Sequence, residues 1–116
     1  MMGTVTDNGV PILLLPIADQ VWQGIIDPGF NGDLELPERL QAVVNARWIG
    51  RITALLASGQ RSEEDLYLVD FPFDSQIVPA DATFVPGSEM LIGTQLLAQY
   101  RLEIHFPARS VWLERV

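Results

Sequence analysis

The sequence predicts a mainly β protein: a small closed β-barrel carrying one or two short helices. Three observations predict it. The apolar runs have strand length, about four to eight residues, rather than helix length. Glycine, proline and Asn-Gly punctuate them at short intervals. Only two stretches, residues 37–44 and 94–100, carry helical signals. At 116 residues the chain is expected to form a single domain, residues 1–116, large enough for one core and too small for two. No repeat, low-complexity tract or linker divides it.

Each element follows from local chemistry. Residues 4–10 read as a strand, an Asn8-Gly9 hairpin turn and the start of a second strand. Residues 12–15 form a continuous apolar run, which suggests burial on both faces. Residues 21–26 are a strand stopped by Asp27-Pro28-Gly29. Beyond it residues 30–36 alternate, placing Leu34 and Leu36 on one face and Asp33 and Glu35 on the other. Pro37 suits the first turn of a short helix through Val44, with Glu38 near its positive end. Residues 51–57 and 65–71 read as strands around a Ser58-Gly59-Gln60 turn. Residues 76–85 form a weaker strand that Pro79 confines to an edge or a bulge. Residues 90–93 are a short buried strand, and Thr94 is placed to cap a helical turn to Tyr100. Leu102, Ile104 and Phe106 alternate with Glu103 and His105 in a half-buried strand, and residues 111–116 close the chain as another.

Composition excludes several functions. Apolar residues make up 48% and charged residues 19%, so the chain is not a disordered tail. Seven basic residues, all Arg, against fifteen acidic ones give a net charge of −8. Such a field disfavours nucleic acid and anionic membranes and favours basic peptides. The absence of Cys removes disulfides and thiol nucleophiles, and a single His, His105, leaves no multi-His metal centre. No metal or cofactor is expected. The apolar run at residues 10–17 is broken by Pro11 and Pro16 and reads as neither leader nor span. A cytoplasmic location is the default expectation.

Three segments then align in order. Ile25-Ile26-Asp27-Pro28-Gly29-Phe30-Asn31-Gly32-Asp33-Leu34-Glu35-Leu36-Pro37 resembles an apolar strand entering Asp-Thr-Gly, continued as Phe-x-Gly and a strand ending in Leu-Pro. Leu56-Ala57-Ser58-Gly59-Gln60 is similar to a flap hairpin tip. Leu91-Ile92-Gly93-Thr94-Gln95-Leu96-Leu97, followed by Leu102-Glu103-Ile104-His105-Phe106, resembles an apolar-apolar-Gly segment, a helix and final strands. Together they resemble the retropepsin-like (clan AA) aspartic proteases of bacterial and archaeal type, across residues 4–114.

The resemblance implies an acid-protease barrel forming one half of a homodimeric active site. Asp27 would be the catalytic carboxylate, and Gly29, Ser58 and Gly59 would contact the peptide. Hydrolysis without a metal needs one carboxylate to activate water and a second acid to polarise the carbonyl. Two carboxyl groups about 3 Å apart share one proton, which provides both roles. One motif per chain requires two copies around a two-fold axis. Gly29 would let the backbone approach substrate, the Ser58-Gly59 tip would close over it, and an extended peptide would bind as an added strand.

The residues also admit plainer readings. Asp27-Pro28-Gly29 is a good turn by itself, with Gly29 supplying positive φ. Ser58-Gly59-Gln60 is an ordinary hairpin turn, and residues 91–97 are core. His105 and Glu63-Glu64-Asp65 read as solvated, and Trp22, Trp48 and Trp112 as core or interface anchors. One departure stands out: residue 28 is Pro where the family pattern has Thr or Ser. The resemblance implies that this hydroxyl and N–H brace the two loops across the dimer, and Pro lacks both donors. A slow peptidase, a differently braced one, and a dimeric peptide-binding module without turnover all remain open.

Overall fold

The computed structural model describes residues 1–55 and 57–116. Ten strands dominate it: β1 (Met2–Val5), β2 (Pro11–Ile17), β3 (Gln20–Ile26), β4 (Leu34–Pro37), β5 (Arg47–Leu55), β6 (Arg61–Phe73), β7 (Gln76–Val85), β8 (Met90–Ile92), β9 (Tyr100–His105) and β10 (Ser110–Arg115). They form one sheet in the order β5-β6-β7-β4-β8-β3-β2-β1-β10-β9. The protein is mainly β, as the strand-length runs predict. The sheet curls around its core, and its end strands β5 and β9 are not paired with each other among the described residues.

Turn chemistry sets the hairpins. Gly9 takes φ +80°, the conformation open to a residue without Cβ, and its N–H donates to the Thr6 carbonyl at 2.9 Å, joining β1 to β2. The core is built from Leu13, Leu15 and Ile17 of β2, Leu34 and Leu36 of β4, Val69 and Phe71 of β6, and Met90 and Ile92 of β8. Leu14 breaks the run expected to be buried on both faces: it is 52% exposed, because β2 covers the core on one side only there.

Two helical expectations are corrected. Residues 37–44 give a single 3-10 turn, Glu38–Leu40, continued by turns in which Val43 and Val44 both donate to the Leu40 carbonyl. Residues 94–99 are successive turns, and Thr94 does not cap them. Its Oγ instead donates to the Phe30 carbonyl at 3.4 Å. Segments of this length gain too little from helical propagation to resist such tertiary bonds.

The expectation for Pro79 holds at that residue and not along the whole strand. β7 is an interior strand, pairing with β6 over Gln76–Ala82 and with β4 only from Ala82 onward. Pro79 therefore lies where β7 has one neighbour, and its missing N–H interrupts no ladder. The hairpin of β5 and β6 extends further than expected and projects from the sheet. Its base is tied by Asp70, which accepts from Arg47 Nη1 and Nη2 at 3.3 and 3.2 Å and from Asn45 Nδ2 at 2.8 Å.

Candidate active site

The site is built where β3 ends. Asp27 N–H donates to the Ile92 carbonyl at 3.0 Å, continuing the parallel β3–β8 ladder by one residue. The chain then reverses: Phe30 N–H donates to the Asp27 carbonyl at 3.1 Å, and Gly29 N–H donates to Asp27 Oδ1 at 2.9 Å. The loop is thus an Asp-headed turn holding its own carboxylate. Gly29 does not take positive φ, contrary to the plain-turn expectation. Pro28 and Gly29 occupy the two central positions of a turn with negative φ at both. What Gly29 supplies is space, since a Cβ there would stand 3.3 Å from Asp27 Oδ1.

A second segment crosses beneath this loop and locks it. Gly93 N–H donates to the Asp33 carbonyl at 2.9 Å, Thr94 N–H to the Phe30 carbonyl at 2.9 Å, and Gln95 N–H to the Gly32 carbonyl at 3.1 Å. The crossing is so close that a Cβ on Gly93 would lie 2.1 Å from the Gly32 carbonyl oxygen. The first and third sequence segments are therefore one physical unit. Asp27 is half-buried at its surface, while Pro28 and Gly29 are exposed.

The second segment lies elsewhere. Ser58 and Gly59 form the exposed tip of the β5–β6 hairpin, with Gly59 at φ +85° and Gln60 N–H donating to Ser58 Oγ at 3.4 Å. Leu56, the first residue of that segment, lies outside the described residues. Neither tip residue lines the cavity beside the Asp27 loop.

That cavity, of about 430 Å³, lies between floor and hairpin. Phe30, Leu34, Ile52 and Leu66 give it apolar walls, and Asp33, Glu35, Glu64 and Asp81 give it four carboxylates. Strand alternation explains Glu64. Its neighbours Glu63 and Asp65 point to the opposite face and pair with Arg51 at 3.4 and 3.5 Å, where Asp65 also accepts from Trp48 Nε1 at 3.1 Å. The expected solvated cluster is in fact divided between the two faces of the hairpin.

Asp33 and Glu35 share the face opposite Leu36 as strand alternation predicts, and that face lines the cavity. Asp33 is 8% exposed, and its Oδ2 accepts the Asp81 N–H at 2.8 Å. The side chain extends the β4–β7 ladder at the point where the backbone pairing begins. Burial pushes the Asp33 carboxyl above its ordinary range, with the nearby Asp81 charge adding to the rise and the Asp81 N–H opposing it. Burial also raises the Glu35 carboxyl, and the charges of Glu64, Asp27 and Glu89 raise it further. The Asp27 charge is thus one of those that reach Glu35. His105 is exposed, as expected. Trp22 is a core residue under the Arg39 guanidinium at 5.0 Å, whereas Trp48 and Trp112 are 59% and 42% exposed.

No family model matches the chain, and no curated protein sequence matches it. Solved structures do. This architecture, with an Asp-headed loop at a strand end locked by an apolar-Gly crossing segment and faced by a projecting hairpin, is the retropepsin-like aspartic protease fold. A retropepsin-like aspartic protease from Rickettsia conorii matches over 100% of this chain and 92% of its own, with TM-score 0.67 and 9% identity. The foamy viral protease-reverse transcriptase in complex with an RNA/DNA hybrid matches over 81% of this chain, with TM-score 0.62 and 18% identity. A second foamy viral protease-reverse transcriptase structure, of the dRH form with double-stranded DNA, matches over 80%, with TM-score 0.60 and 19% identity. The chain spans 13% and 16% of those two viral polypeptides.

Proposed function

We propose that two copies of this chain form an aspartic endopeptidase in which paired Asp27 carboxylates activate water against a peptide bond. The observation that carries the reading is the locked loop: Asp27 is held by its own Gly29 N–H on a floor fixed by the Gly93 crossing. A carboxylate so positioned is preorganised, and displacement by about 1 Å costs about a hundredfold in rate. The partner supplies the second carboxylate, because each chain offers one such loop. The two then hold one proton between them and act as base and acid together.

The substrate is an extended peptide lying between floor and hairpin. Apolar walls with carboxylates at Glu35 and Glu64 suit a side chain with an apolar stem and a cationic end. Gly29, Ser58 and Gly59 would flank the backbone of that peptide. No metal or cofactor takes part, and the protein acts without nucleic acid or membrane.

Purified protein is expected to cleave unfolded or peptide substrates at acidic to neutral pH and to be blocked by a statine-type inhibitor. Asp27→Asn should lower kcat by at least about a thousandfold while leaving peptide binding intact. Cleavage that persists unchanged in Asp27→Asn removes this side chain from the mechanism. A second reading rests on Pro28, which is exposed at the head of the loop and has neither the hydroxyl nor the N–H of a cross-dimer brace. In that reading the dimer binds peptides and does not cut them. Asp27-dependent turnover by the wild type disposes of it.

A further inference from the structure

The cavity beside the Asp27 loop carries charge of one sign. Asp33, Glu35, Glu64 and Asp81 line it, and among the described residues no Arg or His does. Arg47, Arg51, Arg101 and Arg109 all pair with other carboxylates. Asp33 already accepts the Asp81 N–H, which leaves Glu35 and Glu64 as the acceptors open to a guest. Thr83 is an independent sign of one. It is only 7% exposed, lines the same cavity, and makes no side-chain hydrogen bond among the described residues. No side-chain oxygen is sealed away without a partner there, so this hydroxyl keeps its opening toward the cavity. A polar group so deeply buried calls for a partner. Thr83 stands in register with Glu35 across the parallel β4–β7 ladder. Adjacent strands are about 4.8 Å apart, so hydroxyl and carboxylate are neighbouring acceptors on one face. Glu64 confronts them from the hairpin, where it pairs with Ile52 across the β5–β6 ladder. After burial, the Glu64 charge is the largest cause that raises the Glu35 carboxyl, ahead of Asp27 and Glu89. Floor and hairpin therefore repel each other through these two side chains.

We propose that this cavity is an arginine-reading subsite, in which Glu35 and Thr83 of the floor and Glu64 of the hairpin hold one guanidinium between them. The proposal deepens the peptidase reading and rests on it for one point, that the guest is a residue of a bound peptide. A guanidinium suits this lining better than an ammonium does. It is planar, weakly hydrated and rich in N–H donors, so it can pass apolar walls and still meet three separate acceptors. Phe30, Leu34 and Leu66 take the aliphatic stem. The same contacts couple recognition to closure. Alone, Glu35 and Glu64 push the hairpin away from the floor, and a cation between them draws the two together. The substrate arginine thereby closes the hairpin over the peptide that carries it, and a neutral side chain of the same shape does not.

The test uses the full chain and apolar peptides that differ only in a central Arg, Lys, citrulline or norleucine. Citrulline keeps the shape of arginine and removes its charge. Fluorescence anisotropy should find the arginine peptide bound about tenfold tighter than the citrulline peptide and about threefold tighter than the lysine peptide. Glu35→Gln and Glu64→Gln should each cut the arginine-over-citrulline ratio by about fivefold or more, and Thr83→Val by about threefold. All three should leave the norleucine peptide within about twofold of its wild-type Kd. Circular dichroism confirms each fold, and Glu64→Gln, at a half-buried hairpin site, serves should Thr83→Val not fold. Hydrogen exchange along β5 and the start of β6 should slow with the arginine peptide and not with its citrulline twin. An arginine peptide that binds no better than citrulline or lysine, a preference that survives the variants, or a hairpin slowed equally by both peptides overturns the proposal. Arginine-selective binding without Asp27-dependent hydrolysis removes the peptidase reading and leaves the subsite. Asp27-dependent hydrolysis that is blind to arginine does the reverse.

Discussion

The floor of the cavity and the hairpin above it differ in how firmly each is tied to the rest of the molecule. The floor is main chain against main chain: Gly93, Thr94 and Gln95 all donate to carbonyls of residues 30–33, at a crossing with no room for a methyl group. The hairpin is joined within itself by the β5–β6 backbone ladder, but beyond Tyr67, where pairing with β7 ends, it has no second neighbour in the sheet among the described residues. The pairs across it, Arg47–Asp70 and Arg51–Glu63, are ones that water reaches. Its tip glycine, Gly59, has nothing within 4 Å of where a Cβ would stand. The difference points to a division of labour: a tightly crossed floor keeps the Asp27 loop in place, and under the proposed function the less supported hairpin is the part that would move over a bound peptide.

Glycine substitutions are the sharpest way to break this comparison. Gly93→Ala drives a Cβ to 2.1 Å from the Gly32 oxygen and 2.8 Å from the Phe30 oxygen, both backbone atoms that cannot rotate away. The expected loss is about 3 kcal/mol or more, as overpacking at a site without slack demands. Gly59→Ala meets no atom and suffers only its left-handed backbone at φ +85°, about 1 kcal/mol. Urea unfolding of both variants measures the gap. Equal losses would mean that the roof is as tightly built as the floor.

Much of this division was legible in the sequence, and the illegible part has a physical cause. Asn8-Gly9 and Asp27-Pro28-Gly29 announced their turns because the turn conformations are local. The union of residues 25–37 with 91–97 came from resemblance, since nothing local says that Gly93 passes under Gly32. Strand alternation correctly set Asp33 and Glu35 apart from Leu34 and Leu36 but could not say what covers their face. β7 and the hairpin cover it, so those carboxylates line a cavity instead of meeting bulk water. Pro79 marked its own position and not the whole strand: β7 is open on one side beside it because β4 stops three residues short, and β7 becomes interior only from Ala82.

Asp33 gives a medium-sized test of the floor. Asp33→Ala removes the acceptor of the Asp81 N–H and should cost about 1–3 kcal/mol, the penalty of a buried donor left without a partner. Asp33→Asn keeps an acceptor oxygen and should cost far less at neutral pH. The pH dependence follows from the raised carboxyl. The folded state holds the Asp33 proton more tightly than the unfolded chain does, so its contribution to stability is fully present below the ordinary value of 3.8 and is lost as pH rises through the raised folded value. Glu35 behaves in the same sense from its ordinary value of 4.5. Unfolding curves should therefore show a gain on mild acidification that Asp33→Asn reduces. An unchanged pH profile in Asp33→Asn would mean that burial does not tax this carboxylate.

The base of the hairpin should respond with the opposite sign and the smallest amplitude. Hydrogen bonds from Arg47 and then Asn45 hold the Asp70 carboxyl below its ordinary value of 3.8. Its contribution is present above that value and fades as pH falls through the lowered one. The pair is solvent-exposed, 43% and 40% at the two side chains, so salt screens it. Asp70→Asn should lower Tm by no more than about 4 °C in low salt, with the deficit shrinking as salt is added. It should leave the acid-side gain from Asp33 and Glu35 untouched, because those groups belong to the floor. Hydrogen exchange gives the regional reading: faster exchange confined to β5 and the start of β6 would keep roof and floor as separate units. Faster exchange at Gly93 and Thr94 as well would merge them and remove the basis for a roof that moves over a fixed Asp27 loop.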